Sequence, residues 1–227
     1  MEEEKKEEKV VNTEELKSET SNTVNQVKDT IKNVDFKKDT AETKGFITEM
    51  FKNPLGKLKE LVDESSGKSF KYAVILLVVW TVAVLLNAIF SRMNLWGYYW
   101  YSNLWSIVKS TIAPILSVVV MSIILFVMNK KNKKPLTTVI TAVTAAKLPT
   151  VIASVVSLLT LIGSGISIIT SPFAKLCNII SIVLFFFASK NLLAEEENSK
   201  YIKKFVIVEA IFYAVYILLG LLGIYLV

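Results

Sequence analysis

YAVILLVVWTVAVLLNAIF, residues 72–90, is an apolar run interrupted only by Thr81 and Asn87. At about 1.5 Å per residue, a helix of this length matches a hydrocarbon core roughly 30 Å thick. Further runs of the same kind fall at about residues 106–128, 148–169, 173–189 and 205–227. The expected fold is an all-α polytopic membrane bundle with five transmembrane helices. Composition agrees: 52% of the residues are hydrophobic and mean hydropathy is +0.48, whereas a soluble domain is about 45–50% apolar.

Ahead of the first span lies GFITEMFKNPLGKLKELVDESSGKSF, residues 45–70. Phe46, Ile47, Met50 and Phe51 share one helical face, and Leu55, Leu58, Leu61 and Val62 share a second. Asn53 stands where a capping residue belongs, and Pro54 takes the first helical position, where a missing N–H costs nothing. Lys52, Lys57 and Lys59 flank these faces. The pattern fits a cytoplasmic interfacial helix, or equally an amphipathic helix packed on the protein's own loops.

Residues 1–44 carry twelve acids against nine lysines, with Phe36 the only aromatic. So little apolar surface does not offset the entropy of ordering a chain, which predicts a disordered, charged cytoplasmic tail. Val24, Val27, Ile31 and Val34 recur at helical spacing, so a partner could induce a helix there. The sequence opens with Met1 and a run of glutamates rather than a signal-peptide pattern, which leaves the first span to direct insertion.

After the first span, Trp96, Tyr98, Tyr99, Trp100, Tyr101 and Trp105 crowd together, as expected of an outer aromatic belt at headgroup level. A ligand platform built from the same rings is the alternative. Pro114 predicts a bend in the second span, and Lys109 lies near enough to its outer end to snorkel. Lys130, Lys131, Lys133 and Lys134 then mark a cytoplasmic loop, and Lys190, Lys200, Lys203 and Lys204 mark another. The N-terminus is therefore expected in the cytoplasm and the C-terminus outside a cell membrane.

Residues 136–189 divide in two ways. One helix from Leu136 to Ile162, turning at Gly163, Ser164 and Gly165, leaves Lys147 roughly 16 Å deep. The preferred division lays Leu136 to Lys147 along the interface and starts the third span at Leu148, with Pro149 in its first turn. It turns at Thr170, Ser171 and Pro172, and it leaves Gly163 and Gly165 as close-approach positions in lipid. Pro149 and Pro172, with Pro114, are the expected helix bends or breaks.

The chemistry these residues can support is narrow. The chain has no histidine, which removes the commonest general base and metal ligand. Cys177 is the sole cysteine, so neither an internal disulfide nor a CxxC site can form. Glu209 is the only carboxylate within the expected spans, so no paired-carboxylate or intramembrane metal site is expected. No catalytic, cofactor-binding or metal residue is assigned, and no enzyme is expected. Glu209 lies at a depth where an ion pair with Lys147 is feasible, or where it simply reaches the headgroups. The net charge of +6 follows from loop topology and anionic lipid, not from nucleic-acid binding.

The lead-in FKNPLGKL, the five closely spaced spans and AAKLP at residues 145–149 resemble the Yip1 family of five-span membrane proteins over roughly residues 46–227. A single arginine, Arg92, against abundant lysine and isoleucine points to a bacterial-type member. Eukaryotic members bind prenylated GTPases, a role the resemblance does not carry to this chain. The charged tail and the lack of reactive groups instead point to a non-catalytic scaffold or adaptor that organises membrane or recruits a cytoplasmic protein through residues 1–70. The alternative is a small transporter or channel subunit acting as a homo-oligomer, with Lys147 and Glu209 beside a polar path.

Overall fold

The computed structural model describes residues 36–64, 68–92, 100–129, 134–194 and 197–221, with short pieces between residues 18 and 32. Trp96, Tyr98 and Tyr99 of the expected belt lie outside the described residues. Every regular element described is helical. In chain order these are α1 (Phe36–Lys52), α2 (Pro54–Asp63), α3 (Phe70–Arg92), α4 (Trp100–Met128), α5 (Leu136–Ala146), α6 (Leu148–Ser157), α7 (Ser167–Leu193) and α8 (Asn198–Leu221). Two short 3₁₀ turns, Leu158–Leu161 and Ser164–Ile166, join α6 to α7.

Four helices, α3, α4, α7 and α8, are long and apolar enough to cross a membrane, and α5 with α6 and its 3₁₀ extension, bent by 49°, makes a fifth if the pair is one broken span rather than a re-entrant loop. The protein is thus an all-α, multi-span membrane protein in contact with a lipid bilayer.

The charged lead-in folds back on the bundle. Asn53 closes α1 and caps α2, its Oδ1 accepting the Gly56 N–H at 3.0 Å. A side chain at position 56 would collide with that capping amide, which is why glycine stands there. Leu58, Leu61 and Val62 are buried and join the same cluster as Leu192 and Leu193 at the close of α7. Phe46 stacks on Tyr72 with centroids 4.9 Å apart. The two expected faces are only partly inward: Phe51 is 64% and Leu55 45% exposed.

α5 corrects the expectation of an interfacial helix. All its residues except Ile140 are buried, and it is enclosed by α2, α3, α4 and α7. Small Ala and Thr side chains let neighbouring backbones approach closely. The Thr141 hydroxyl needs no water, because a helical threonine can bond back along its own backbone, as Thr141 Oγ1 does to Thr137 O at 2.8 Å. Segregation of threonines from valines reads in the sequence as a wet face against a dry one, but both faces of α5 are buried.

The turn expected at Thr170, Ser171 and Pro172 does not exist. α7 runs through Pro172, which forfeits a single intrahelical bond close to the helix start. The chain turns instead around Gly163, where the 3₁₀ pieces lie. Gly163 and Gly165 are accordingly not helix-contact positions: a Cβ on either would meet nothing within 4 Å. Lys175 consequently lies about 12 Å along α7 from Ser167, at 1.5 Å per residue, with its side chain exposed. α4 also starts earlier than expected, at Trp100, since no glycine or proline interrupts the segment up to Trp105.

Candidate functional site: a polar seam at the helix break

Lys147 stands between α5 and α6. Its backbone N–H still reaches Val143 O at 3.1 Å, and its own carbonyl accepts from Val151 N at 3.0 Å. The chain therefore bends at Lys147 with its hydrogen-bond ladder largely intact. Pro149 occupies the first turn of α6, where its missing N–H is harmless.

The first turn of a helix leaves N–H groups without internal partners. Here a neighbour supplies one: Thr150 N–H donates to Ser181 Oγ of α7 at 3.2 Å. Thr150 Oγ1 also lies 2.8 Å from Ser181 Oγ and 3.0 Å from Asn178 Oδ1. One turn further on, Ser154 Oγ donates to Thr150 O at 3.0 Å and accepts from Trp80 Nε1 of α3 at 3.1 Å. Asn87 Nδ2 extends the seam, donating to Ser154 O at 3.0 Å and Ser157 Oγ at 2.8 Å. The broken segment is thus tied to α3 on one side and α7 on the other. In lipid each such bond contributes about 0.6 kcal/mol on average and up to about 1.7.

These residues were not singled out in the sequence as a site. Thr150, Ser154 and Ser157 recur at i, i+4 and i+7, and Asn178 and Ser181 at i and i+3, so a small-polar stripe was available as a signal. Two more hydroxyls, Ser122 Oγ on α4 and Thr144 Oγ1 on α5, are buried without a hydrogen-bond partner among the described residues.

Glu209 is half-buried on α8. Its charge and that of Lys147 act on one another, but no salt bridge joins them. Pro114 lies inside α4. Trp100 and Tyr101 open that helix, and Trp105 is 57% exposed, with Lys109 Nζ 5.2 Å from its ring centroid.

A second cluster fixes the amphipathic helices to the bundle. Lys71, at the start of α3, reaches Asp39 Oδ1 at 3.1 Å and also pairs with Glu42. Lys57 of α2 bridges Glu49 of α1 and Glu60, each at 2.8 Å. Hydrogen bonding to Lys57 holds the Glu49 carboxyl below its ordinary pKa. For Lys57, partial burial opposes the charge, yet the bonds to Glu49 and Glu60 carry its pKa above the ordinary lysine value. Lys134, leading into α5, approaches Asp63 at 4.0 Å.

At the far side, Tyr201 of α8 is buried, its hydroxyl 2.7 Å from Ser189 Oγ and donating to Phe186 O. Among the described residues no group of three or more Cys, Asp and Glu side chains could hold a metal. Comparison of the chain with protein-family models, curated proteins and solved structures yields no match.

Proposed function

We propose that the protein is a non-catalytic membrane scaffold or adaptor, a bacterial-type relative of the Yip1 family. In this reading its N-terminal segment recruits a cytoplasmic protein. The observation that carries the reading is the latch between α1, α2 and the bundle: Lys71 on Asp39 and Glu42, Phe46 on Tyr72, and the buried Leu58, Leu61 and Val62. A charged segment ending on a helix so anchored holds whatever it binds at a fixed place on the membrane. The lysine-rich loops then lie in the cytoplasm of a cell-membrane protein whose C-terminus faces outward. The test is photo-crosslinking from positions within residues 1–35 of the full chain in its native membrane. One partner captured reproducibly, and diminished when Lys71→Glu releases α1, supports the scaffold. Capture no greater than from an unrelated charged tail contradicts it.

A second reading, a small transporter or channel subunit working as a homo-oligomer, is favoured by the bend of 49° between α5 and the α6 segment with Lys147 at the joint and Glu209 nearby. Discontinuous helices beside ionisable groups are a hallmark of transport sites. Proteoliposomes that pass a solute in a Lys147-dependent manner would support it, and absence of flux from wild type and Lys147→Ala alike would end it.

A further inference from the structure

A groove of about 450 Å³ runs along the seam between α3 and α6 and ends under α1. Its walls are almost wholly aliphatic, built by Val74 to Val79 on one side and Leu148 to Val156 on the other. Val79 and Val155, one from each wall, are 42% and 41% exposed, so the groove opens sideways to lipid. From Leu148 to Val156 it extends about 12 Å at 1.5 Å per residue, close to the roughly 15 Å depth of one leaflet's hydrocarbon.

The end under α1 is different. Thr40, Lys44 and Ile47 lie at i, i+4 and i+7 and face the groove together. Lys44 is exposed, and no carboxylate among the described residues pairs with it. The neighbouring acids Asp39 and Glu42 are both turned to Lys71, which leaves the Lys44 ammonium as the charged group lining the groove. Phe51 continues the same face of α1 one turn beyond Ile47 and is exposed, followed by exposed Leu55 beside Lys52 and Lys59. Apolar tips flanked by lysines place this corner at the headgroup level.

We propose that the groove binds one acyl chain of an anionic glycerophospholipid, with Lys44 and the Thr40 hydroxyl receiving its phosphate. Any lipid can enter an apolar seam. The charge at the mouth makes the site selective, and it also explains why α1 roofs the seam with a lysine and a threonine. The site does not depend on which of the two functions above the protein serves. A single lysine near an anionic surface favours it by about five-fold in affinity.

The test uses purified full-length protein in detergent with equimolar phosphatidylglycerol and phosphatidylcholine of identical acyl chains, and counts retained lipid by native mass spectrometry. Wild type retains phosphatidylglycerol about five-fold over phosphatidylcholine. Lys44→Glu removes that preference without changing the melting temperature, while Lys59→Glu, outside the groove, leaves it intact. Val155→Trp fills the seam and lowers retention of both lipids by half or more. Should that variant melt early, Val79→Trp reads the same volume from the opposite wall. Equal retention of the two lipids by wild type, an undiminished preference in Lys44→Glu, or equal losses in Lys44→Glu and Lys59→Glu would overturn the proposal.

Discussion

α5 and α8 are both predominantly apolar helices, yet one is enclosed on all sides and the other shows only Tyr201 and Val208 fully buried. In the α8 segment 6% of the apolar window is buried. Ile217, Leu218 and Leu221 are 61%, 63% and 80% exposed. In water such exposure would be a liability, but in lipid there is no hydrophobic reason to hide leucine. The helix that goes inside is the one with small side chains and hydroxyls. Alanine and threonine mark the enclosed α5, and large aliphatic residues mark the exposed sides of α8.

This contrast can be broken by exchanging size between the two helices. The largest expected effect is at the α3 side of the seam. Trp80→Ala removes a fully buried ring and its bond to Ser154 and is expected to cost about 3–5 kcal/mol, read as a lowered melting temperature in detergent. Leu218→Ala on α8 should change stability by no more than about 0.5 kcal/mol. Next, Ala142→Leu forces a larger side chain into the fully enclosed α5, and overpacking of that kind costs about 1–3 kcal/mol. Equal losses from Ala142→Leu and Leu218→Ala would erase the distinction between centre and rim.

A smaller effect sharpens the account of the break. Thr150→Val keeps the shape of the side chain but removes its hydroxyl from Ser181 and Asn178. Destabilisation of about 0.6–1.7 kcal/mol is expected, and Ser181→Ala on top of it should cost a further amount of about 1 kcal/mol, because it also takes the acceptor from the Thr150 N–H. Ala194, which closes α7, has φ 39 and ψ 46, the left-handed region. Ala194→Gly should therefore raise stability by about 0.4–1 kcal/mol through relief of that strain.

The least effect is electrostatic. Glu49 has a pKa below 4.5, so its pairing with Lys57 stabilises above that pH and is lost as pH falls through the lowered value. Lys57 has a pKa above 10.5, so its share is complete below that pH and is lost as pH rises through the raised value. The difference in melting temperature between wild type and Lys57→Met should be small at neutral pH and vanish as pH falls through the lowered Glu49 value or rises through the raised Lys57 value.

Much of this was legible in the sequence. Hydropathy located the membrane helices because lipid demands long apolar runs whatever their neighbours do. Asn53 and Pro54 announced α2 through local capping chemistry that needs no tertiary context. Where a helix turns was harder to read: Pro172 looks like a breaker, yet it is the sixth residue of α7 and the helix runs through it, while the chain turns at Gly163. Least legible was which apolar helix lies at the centre. That depends on pairwise fit between helices, and the polar seam from Trp80 through Ser154 and Thr150 to Ser181 joins residues far apart in the chain. Lys147 and Glu209 stood out individually, while the neutral hydroxyls that tie the break together did not.

The threonine-rich α5 is walled off from lipid by its neighbours, and α8 is not. A hydrophobic diazirine photolabel, activated in membranes containing the unmodified protein and mapped by peptide mass spectrometry, tests it without any substitution. Heavy labelling is expected across residues 205–221 and almost none across residues 136–146. Labelling of residues 136–146 to the same extent as α8 would contradict it.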